Sequence, residues 1–203
     1  YQDAKNINYE MVVRDFENLT SKIDHIFEVR LIGGEPFFNK DIYRIIDYFL
    51  ETTKITKLVI YTNATIPLKA ELMKKYETPK LVFSITDYGS LSKNTNKVTD
   101  LLKEMNIAYR ALPPNNWTDS AVIKDQKRSE AGMVDIFERC CGKNLFTVMY
   151  GKLYRCPFVS NAERLHAIPF NEKNGVSLEA SKDDIIKYTS CLLYTSPSPR
   201  DKR

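Results

Sequence analysis

Ile26-Phe27-Glu28-Val29-Arg30-Leu31-Ile32-Gly33-Gly34-Glu35-Pro36-Phe37-Phe38 is the stretch on which the reading of this protein turns. A short apolar run closed by glycines reads as a buried strand. It stops abruptly at Gly33-Gly34, followed by one carboxylate, Glu35, and a φ-restricting Pro36. The glycine pair lets a ligand approach the main chain. The glutamate adds an acceptor at the strand's C-terminal end, where parallel α/β folds place their ligands. As a bare tetrapeptide, Gly-Gly-Glu-Pro fits a plain loop equally well, so its meaning rests on what surrounds it.

From residue 8 to about 112, helix-like and strand-like segments alternate with short connections. Met11, Val12, Phe16, Leu19 and Ile23 fall on one helical face ahead of the strand. After it, Asn39 is placed to cap a helix in which Ile42, Ile45, Ile46, Phe49 and Leu50 recur at steps of three and four. A second strand, Lys57 to Tyr61, leads to Pro67 at the expected first turn of a helix running to Tyr76. Lys80 to Thr86 reads as a third strand and Ile107 to Leu112 as a fourth, with a helix marked by Val98, Leu101, Leu102 and Met105 between them. Strict alternation predicts parallel strands joined by right-handed crossovers. Repeat units of roughly 25–30 residues fit a β/α barrel or an open doubly wound sheet. Neither a Gly-x-Gly-x-x-Gly fingerprint nor a Gly-Lys-Ser/Thr phosphate loop occurs.

Past Pro113-Pro114 the character changes. Residues 113 to 139 are polar, with Trp117 and Asp119 in a loop and a short helix near 129 to 138. Phe146 to Met149 and Leu153 to Arg155 flank Tyr150-Gly151-Lys152, a predicted β-hairpin with cysteines at both ends. Residues 170 to 190 read as a loop and a short helix. The tail from Cys191 to Arg203, with Ser196-Pro197-Ser198-Pro199, has no core-forming pattern; it is expected to be disordered and, resembling translated adaptor sequence, foreign to the fold.

Composition narrows the classes. Hydrophobic residues make up 43% and charged ones 28% of 203 residues, as in a water-soluble globular protein of one main core. No apolar run is long enough for a membrane span, and a cytoplasmic location is expected. The sequence opens on Tyr1 rather than Met and is expected to lack its natural start. The net charge is +4, but three basic groups and one acidic group lie in the last thirteen residues, and the rest are scattered. A nucleic-acid partner is therefore not expected. The four cysteines, with Cys140 and Cys141 adjacent, do not form a secreted disulfide framework.

Candidate binding groups cluster at predicted strand ends: Gly33, Gly34, Glu35 and Pro36, then Thr62-Asn63-Ala64-Thr65, then Asp87-Tyr88-Gly89-Ser90. Asn63 and Thr62 suit hydrogen bonding to a polar ligand, and Ser84 and Thr86 alternate onto one face of the third strand. Asx residues also stabilise turns without any ligand. Cys140, Cys141 and Cys156 lie at the two ends of the hairpin, where thiolates can converge on one zinc ion or iron–sulfur cluster. Buried thiols are the alternative. His25 and His166 have no partners at ligand spacing, and Tyr88, Tyr109 and Tyr154 read as packing residues.

Strand, Gly-Gly-Glu-Pro, helix, strand and Thr-Asn together resemble the radical S-adenosylmethionine family over roughly residues 8 to 160. The resemblance implies a partial (β/α) TIM-type barrel of parallel strands (1–135), a small β-hairpin extension of the SPASM or twitch type (136–190), and the tail (191–203). It implies S-adenosylmethionine and a 4Fe–4S cluster as cofactors, with a radical abstracting hydrogen from an unknown peptide or small-molecule substrate and a reductant protein as partner. By position, Gly33, Gly34, Glu35 and Pro36 would hold the methionine amino group, and Asn63 and Ser84 the carboxylate or ribose. Cys-x9-Gly-x4-Cys, from Cys141 to Cys156, resembles the opening of the auxiliary-cluster extension. The family's Cys-x3-Cys-x2-Cys is absent, since no cysteine precedes Cys140. A polypeptide beginning downstream of that loop is one expectation; a non-catalytic metal-binding module on a degenerate barrel is the other.

Overall fold

A computed structural model describes residues 7–114, 127–140 and 142–190. These fall into two compact units: residues 7–14 with 23–114, and residues 15–22 with 127–190.

Helix α1 (Tyr9–Thr20) is divided between the units after Arg14, and the first unit continues through β1 (Ile26–Leu31), α2 (Ile42–Glu51), β2 (Ile55–Thr62), α3 (Ala70–Met73), β3 (Leu81–Thr86), α4 (Thr95–Glu104) and β4 (Ala108–Leu112). Asn8 starts α1 by accepting a hydrogen bond from the Met11 amide at 2.9 Å. The four strands form one parallel sheet in the order β1-β2-β3-β4. Consecutive order matters: with every crossover right-handed, all connecting helices fall on the same face of the sheet. Burial agrees with that. Leu58, Ile60, Leu81 and Phe83 are wholly inaccessible, and register places them in paired rows on one face, Leu58 beside Leu81 and Ile60 beside Phe83. Ile45, Ile46 and Phe49 of α2 and Val98 and Leu102 of α4 are buried as well. Removing an apolar side chain of this size from water contributes about 1.5–3 kcal/mol.

Two helix boundaries differ from the sequence reading. Asn39 does not cap α2 directly; its side-chain oxygen accepts from the Asp41 amide, holding the turn that precedes the helix. Pro67 lies outside α3, which spans only Ala70–Met73. The Lys69 amide donates to the Tyr43 hydroxyl at 2.9 Å, which satisfies one of the amides at the start of the helix. At the other end of α2, the Lys80 ammonium donates to the carbonyls of Leu50 and Thr52 and so satisfies the last turn of the helix. Burial lowers its pKa.

The second unit holds α5 (Glu130–Glu138), β5 (Thr147–Met149), β6 (Lys152–Tyr154), α6 (Pro157–Arg164), β7 (Gly175–Ser177) and α7 (Lys182–Ser190). The expected hairpin is present, closed by two residues, Tyr150 and Gly151, at φ 50° and 73°. Positive φ at both positions makes the tight turn whose twist matches antiparallel strands. The Gly151 amide donates to Asp15 at 3.0 Å, and the Leu178 amide to the Gly151 carbonyl at 2.8 Å. The segment read as loop contributes a third strand, β7, antiparallel to β6. Glu163 of α6 gathers Lys152, the Tyr154 hydroxyl and Asn174, and the buried Tyr188 hydroxyl donates to the Asn174 carbonyl.

Gly175 sets a test of this packing. A Cβ there would come within 2.8 Å of the Tyr154 ring and 3.2 Å of the Leu153 carbonyl. Its backbone is extended, so the obstacle is purely steric. Tyr154 cannot swing aside without breaking its 3.0 Å bond to Glu163. Gly175→Ala is expected to destabilise the second unit by about 2 kcal/mol, read by urea unfolding; an unchanged midpoint would show that the ring is loosely held.

Candidate functional site

At the C-terminal end of β1, Gly33 and Gly34 lead into a single 3-10 turn, Pro36–Phe38, with Glu35 at its N-cap. The Glu35 carboxylate is buried and turns inward. Oε1 accepts from the Phe37 amide at 3.1 Å and the Thr62 hydroxyl at 2.9 Å, and Oε2 from that hydroxyl at 2.8 Å and the Asn63 amide at 2.8 Å. Glu35 therefore clasps the loop after β1 to the loop after β2. A carboxylate with this many donors is an orienting element rather than a vacant acceptor.

Asn63 is brought beside it and is equally engaged. Its amide nitrogen donates to the Gly34 carbonyl at 3.3 Å, and its Oδ1 accepts from the Thr65 amide and hydroxyl at 2.9 and 2.7 Å. Between them Ala64 sits at φ 54° with no exposed surface. Such a backbone costs a non-glycine residue about 1 kcal/mol or more. It is held by the Thr62 hydroxyl on the Ala64 amide and by Asn94, whose backbone amide donates to the Ala64 carbonyl and whose side-chain amide donates to that of Thr65.

Gly33 and Gly34 contrast with this occupied clasp. Both are exposed, and a Cβ built on either meets nothing within 4 Å. The open element at the strand end is therefore the glycine backbone. Pro36 and Phe37 are buried, and the Phe37 ring stacks on Phe83 with centroids 6.2 Å apart.

Ser84 does not join Glu35. Register pairs Thr62 with Ile85 and Tyr61 with Ser84, so Ser84 and Tyr61 project from the face opposite Thr62. There Ser84 accepts from Arg110 Nε at 3.0 Å, and Arg110 Nη2 donates to the Tyr61 hydroxyl at 3.4 Å. The sequence reading missed Tyr61 and Arg110. The signal was the two-residue period of each strand, but it needs the inter-strand register to become a row. Glu28, Arg30 and Lys57 share that face by the same alternation. Burial works against the Glu28 charge, but Arg30 and Lys57 outweigh it and hold its carboxyl below the usual range.

In the second unit Cys140 and Cys156 are half-buried thiols, not joined in a disulfide. Cys156 is the N-cap of α6, with Pro157 opening the helix, and its thiol makes no capping bond. The Gly142 amide donates to Cys140 Sγ at 3.4 Å. Cys141, Trp117, Asp119 and the tail from Cys191 lie outside the described residues. Among the described residues no group of three or more His, Cys, Asp or Glu is placed to hold a metal ion. No described helix is long and apolar enough to cross a membrane. Compared with protein-family models and with curated proteins, the sequence matches none.

Proposed function

We propose that the parallel sheet is part of a (β/α) barrel belonging to a radical S-adenosylmethionine enzyme, and that residues 136–190 are its auxiliary-cluster extension. The observation that carries the reading is the loop after β1: exposed glycine backbone, with Glu35 locked behind it, at the C-terminal end of a parallel strand. Strand order β1-β2-β3-β4 without reversal supports a barrel over a doubly wound sheet, whose order reverses at its binding crevice.

The residues present fit S-adenosylmethionine through the backbone. Gly33 and Gly34 leave room for a ligand, and the clasp by Glu35, Thr62 and Asn63 fixes the loop in advance, so little ordering cost remains on binding. When bound beside a reduced 4Fe–4S cluster, S-adenosylmethionine supplies radical chemistry. Cys140, Cys141 and Cys156 are the cluster-ligand candidates in the extension. The part played by the other residues is positional: Ala64 and Asn94 keep the second loop against the first, and Phe37 on Phe83 anchors the turn.

Gly34→Val separates ligand approach from folding, because its Cβ would meet no neighbour and its backbone is outside the left-handed region. S-adenosylmethionine titrated into the protein is expected to bind. Gly34→Val is expected to weaken that binding by about tenfold or more while leaving the unfolding midpoint unchanged. Equal affinity in parent and variant would remove the loop from the binding site.

A further inference from the structure

β1 is an end strand of the parallel sheet, and among the described residues no strand pairs with its outer edge. Natural sheets ordinarily blunt such an edge with Lys, Pro or a bulge. β1 reads Ile-Phe-Glu-Val-Arg-Leu, with neither Lys nor Pro, and its register to β2 runs without a slip. Its apolar groups lie open: Phe27 is 70% exposed and Ile32, just past the strand, 56%. Residues 26–32 are also a palindrome in chemistry with the charge inverted: apolar, apolar, Glu28, Val29, Arg30, apolar, apolar. Laid antiparallel on a second copy about a two-fold axis at Val29, the strand sets Glu28 against the partner's Arg30 and Arg30 against the partner's Glu28. Phe27 then opposes the partner's Leu31, and Val29 opposes the partner's Val29. The apolar set stays on one face and the charges on the other in both copies. Other registers are penalised. Moving by two residues puts Glu28 against the partner's Glu28 or Arg30 against the partner's Arg30, and like charges directly opposed destabilise. Moving by one residue turns the partner's faces over and sets charge against apolar surface. Within one copy Arg30 and Lys57 already flank Glu28, so pairing extends an alternating charge row instead of burying an unpaired ion. β4, the other end strand, lacks the pattern: an axis at its central residue sets Arg110 against the partner's Arg110, and Pro113-Pro114 follow.

We propose that the outer edge of β1 is a self-complementary docking strand, which pairs antiparallel with β1 of a second copy and joins two four-stranded sheets into one. The contact is isologous and closes on its own two-fold axis, so it makes a dimer and no larger assembly. Main-chain hydrogen bonds supply the affinity, and the Glu28–Arg30 exchange sets the register. With one strand from each copy, the interface belongs to the small, reversible class. The inference goes beyond the cofactor reading and does not rest on it, since it concerns the edge of the sheet and is read by mass, not by S-adenosylmethionine binding.

The test is sedimentation velocity of the whole protein over a range of micromolar concentrations. A monomer passing reversibly to a dimer is expected, with amide hydrogen exchange in β1 slowing as the dimer forms. Glu28→Arg and Arg30→Glu each set like charges against one another at both ends of the pairing, and each is expected to weaken the dimer by about tenfold or more. Mixing the two variants in equal amounts should restore it, because each then supplies the charge that the other lacks. Phe27→Ser, at an exposed position where folding loses little, should weaken the dimer too and serves where a charge reversal does not fold. Lys97→Glu reverses a charge on the exposed surface of α4 and should leave the dimer as it is in the parent. The proposal is overturned if the parent stays monomeric throughout, which would leave the edge bare or give it to another strand of a barrel. It is equally overturned if a dimer survives both charge reversals and Phe27→Ser, if the mixture of folded variants stays monomeric, or if Lys97→Glu weakens the dimer as much as Arg30→Glu.

Discussion

Glu35→Ala is expected to destabilise the parallel-sheet unit by about 3 kcal/mol. The carboxylate is buried and accepts from two amides and a hydroxyl that come from both sides of the clasp, Phe37 on its own loop and Thr62 and Asn63 on the next. Truncation strands these donors, and an unmet buried donor costs about 1–3 kcal/mol, more where the lost partner was charged. It also releases Ala64, whose positive φ persists only because its surroundings over-determine it. Glu35→Gln makes the comparison sharp. It preserves shape but sets an amide N–H₂ against the Phe37 or the Asn63 amide, which can only donate, so it should recover less than half of the loss. Urea unfolding reads both variants. A loss below about 1 kcal/mol in Glu35→Ala would show that water replaces the carboxylate and that the clasp is not what holds the two loops together.

The same residue shows where sequence reading succeeds and where it stops. Strand, glycine pair and carboxylate were legible because a short apolar run ends at the break at Gly33, but the strand is not the buried one that run suggests: no residue of β1 is buried and Phe27 is exposed. The strands read over residues 57–61, 80–86 and 107–112 came within two residues of those places, β2 and β3 as buried apolar runs and β4 although none of its residues is buried. What Glu35 does was not legible. Its acceptors are filled by Thr62 and Asn63, 27 and 28 positions away, and nothing local to Gly-Gly-Glu-Pro tells a vacant carboxylate from an occupied one. The surroundings of Ser84 were not legible for another reason: its face follows from the two-residue period, but its partners Tyr61 and Arg110 appear only once the register between three strands is known. β7 was missed because Gly175-Val176-Ser177 is too short to show any alternation, and pairing with β6 alone makes it a strand. The helix predicted from Pro67 to Tyr76 shrank to four residues, Ala70–Met73.

Phe83→Ala is expected to have the larger effect, about 4 kcal/mol, within the range for aromatic deletions in a packed core. Phe83 has no exposed surface and lies mid-strand in β3 between Ile60 of β2 and Tyr109 of β4 in register. Its ring also stacks at 9° on Phe37, which belongs to the turn directly after Glu35. Deleting it therefore opens a core cavity and removes the floor under the loop that presents Gly33 and Gly34. Phe83→Leu fills most of the volume and should cost about 1 kcal/mol, but it cannot restore the parallel stack. The pair of variants thus separates two roles of one aromatic ring. Packing of the core predicts that both lose stability in proportion to the volume removed. Support of the loop predicts that Phe83→Leu, though nearly as stable as the parent, also shows faster hydrogen exchange at the Phe37 and Asn63 amides, because the turn that Glu35 caps has lost its aromatic contact. Unchanged exchange at those two amides in Phe83→Leu would confine Phe83 to the core and leave the loop to the Glu35 clasp alone.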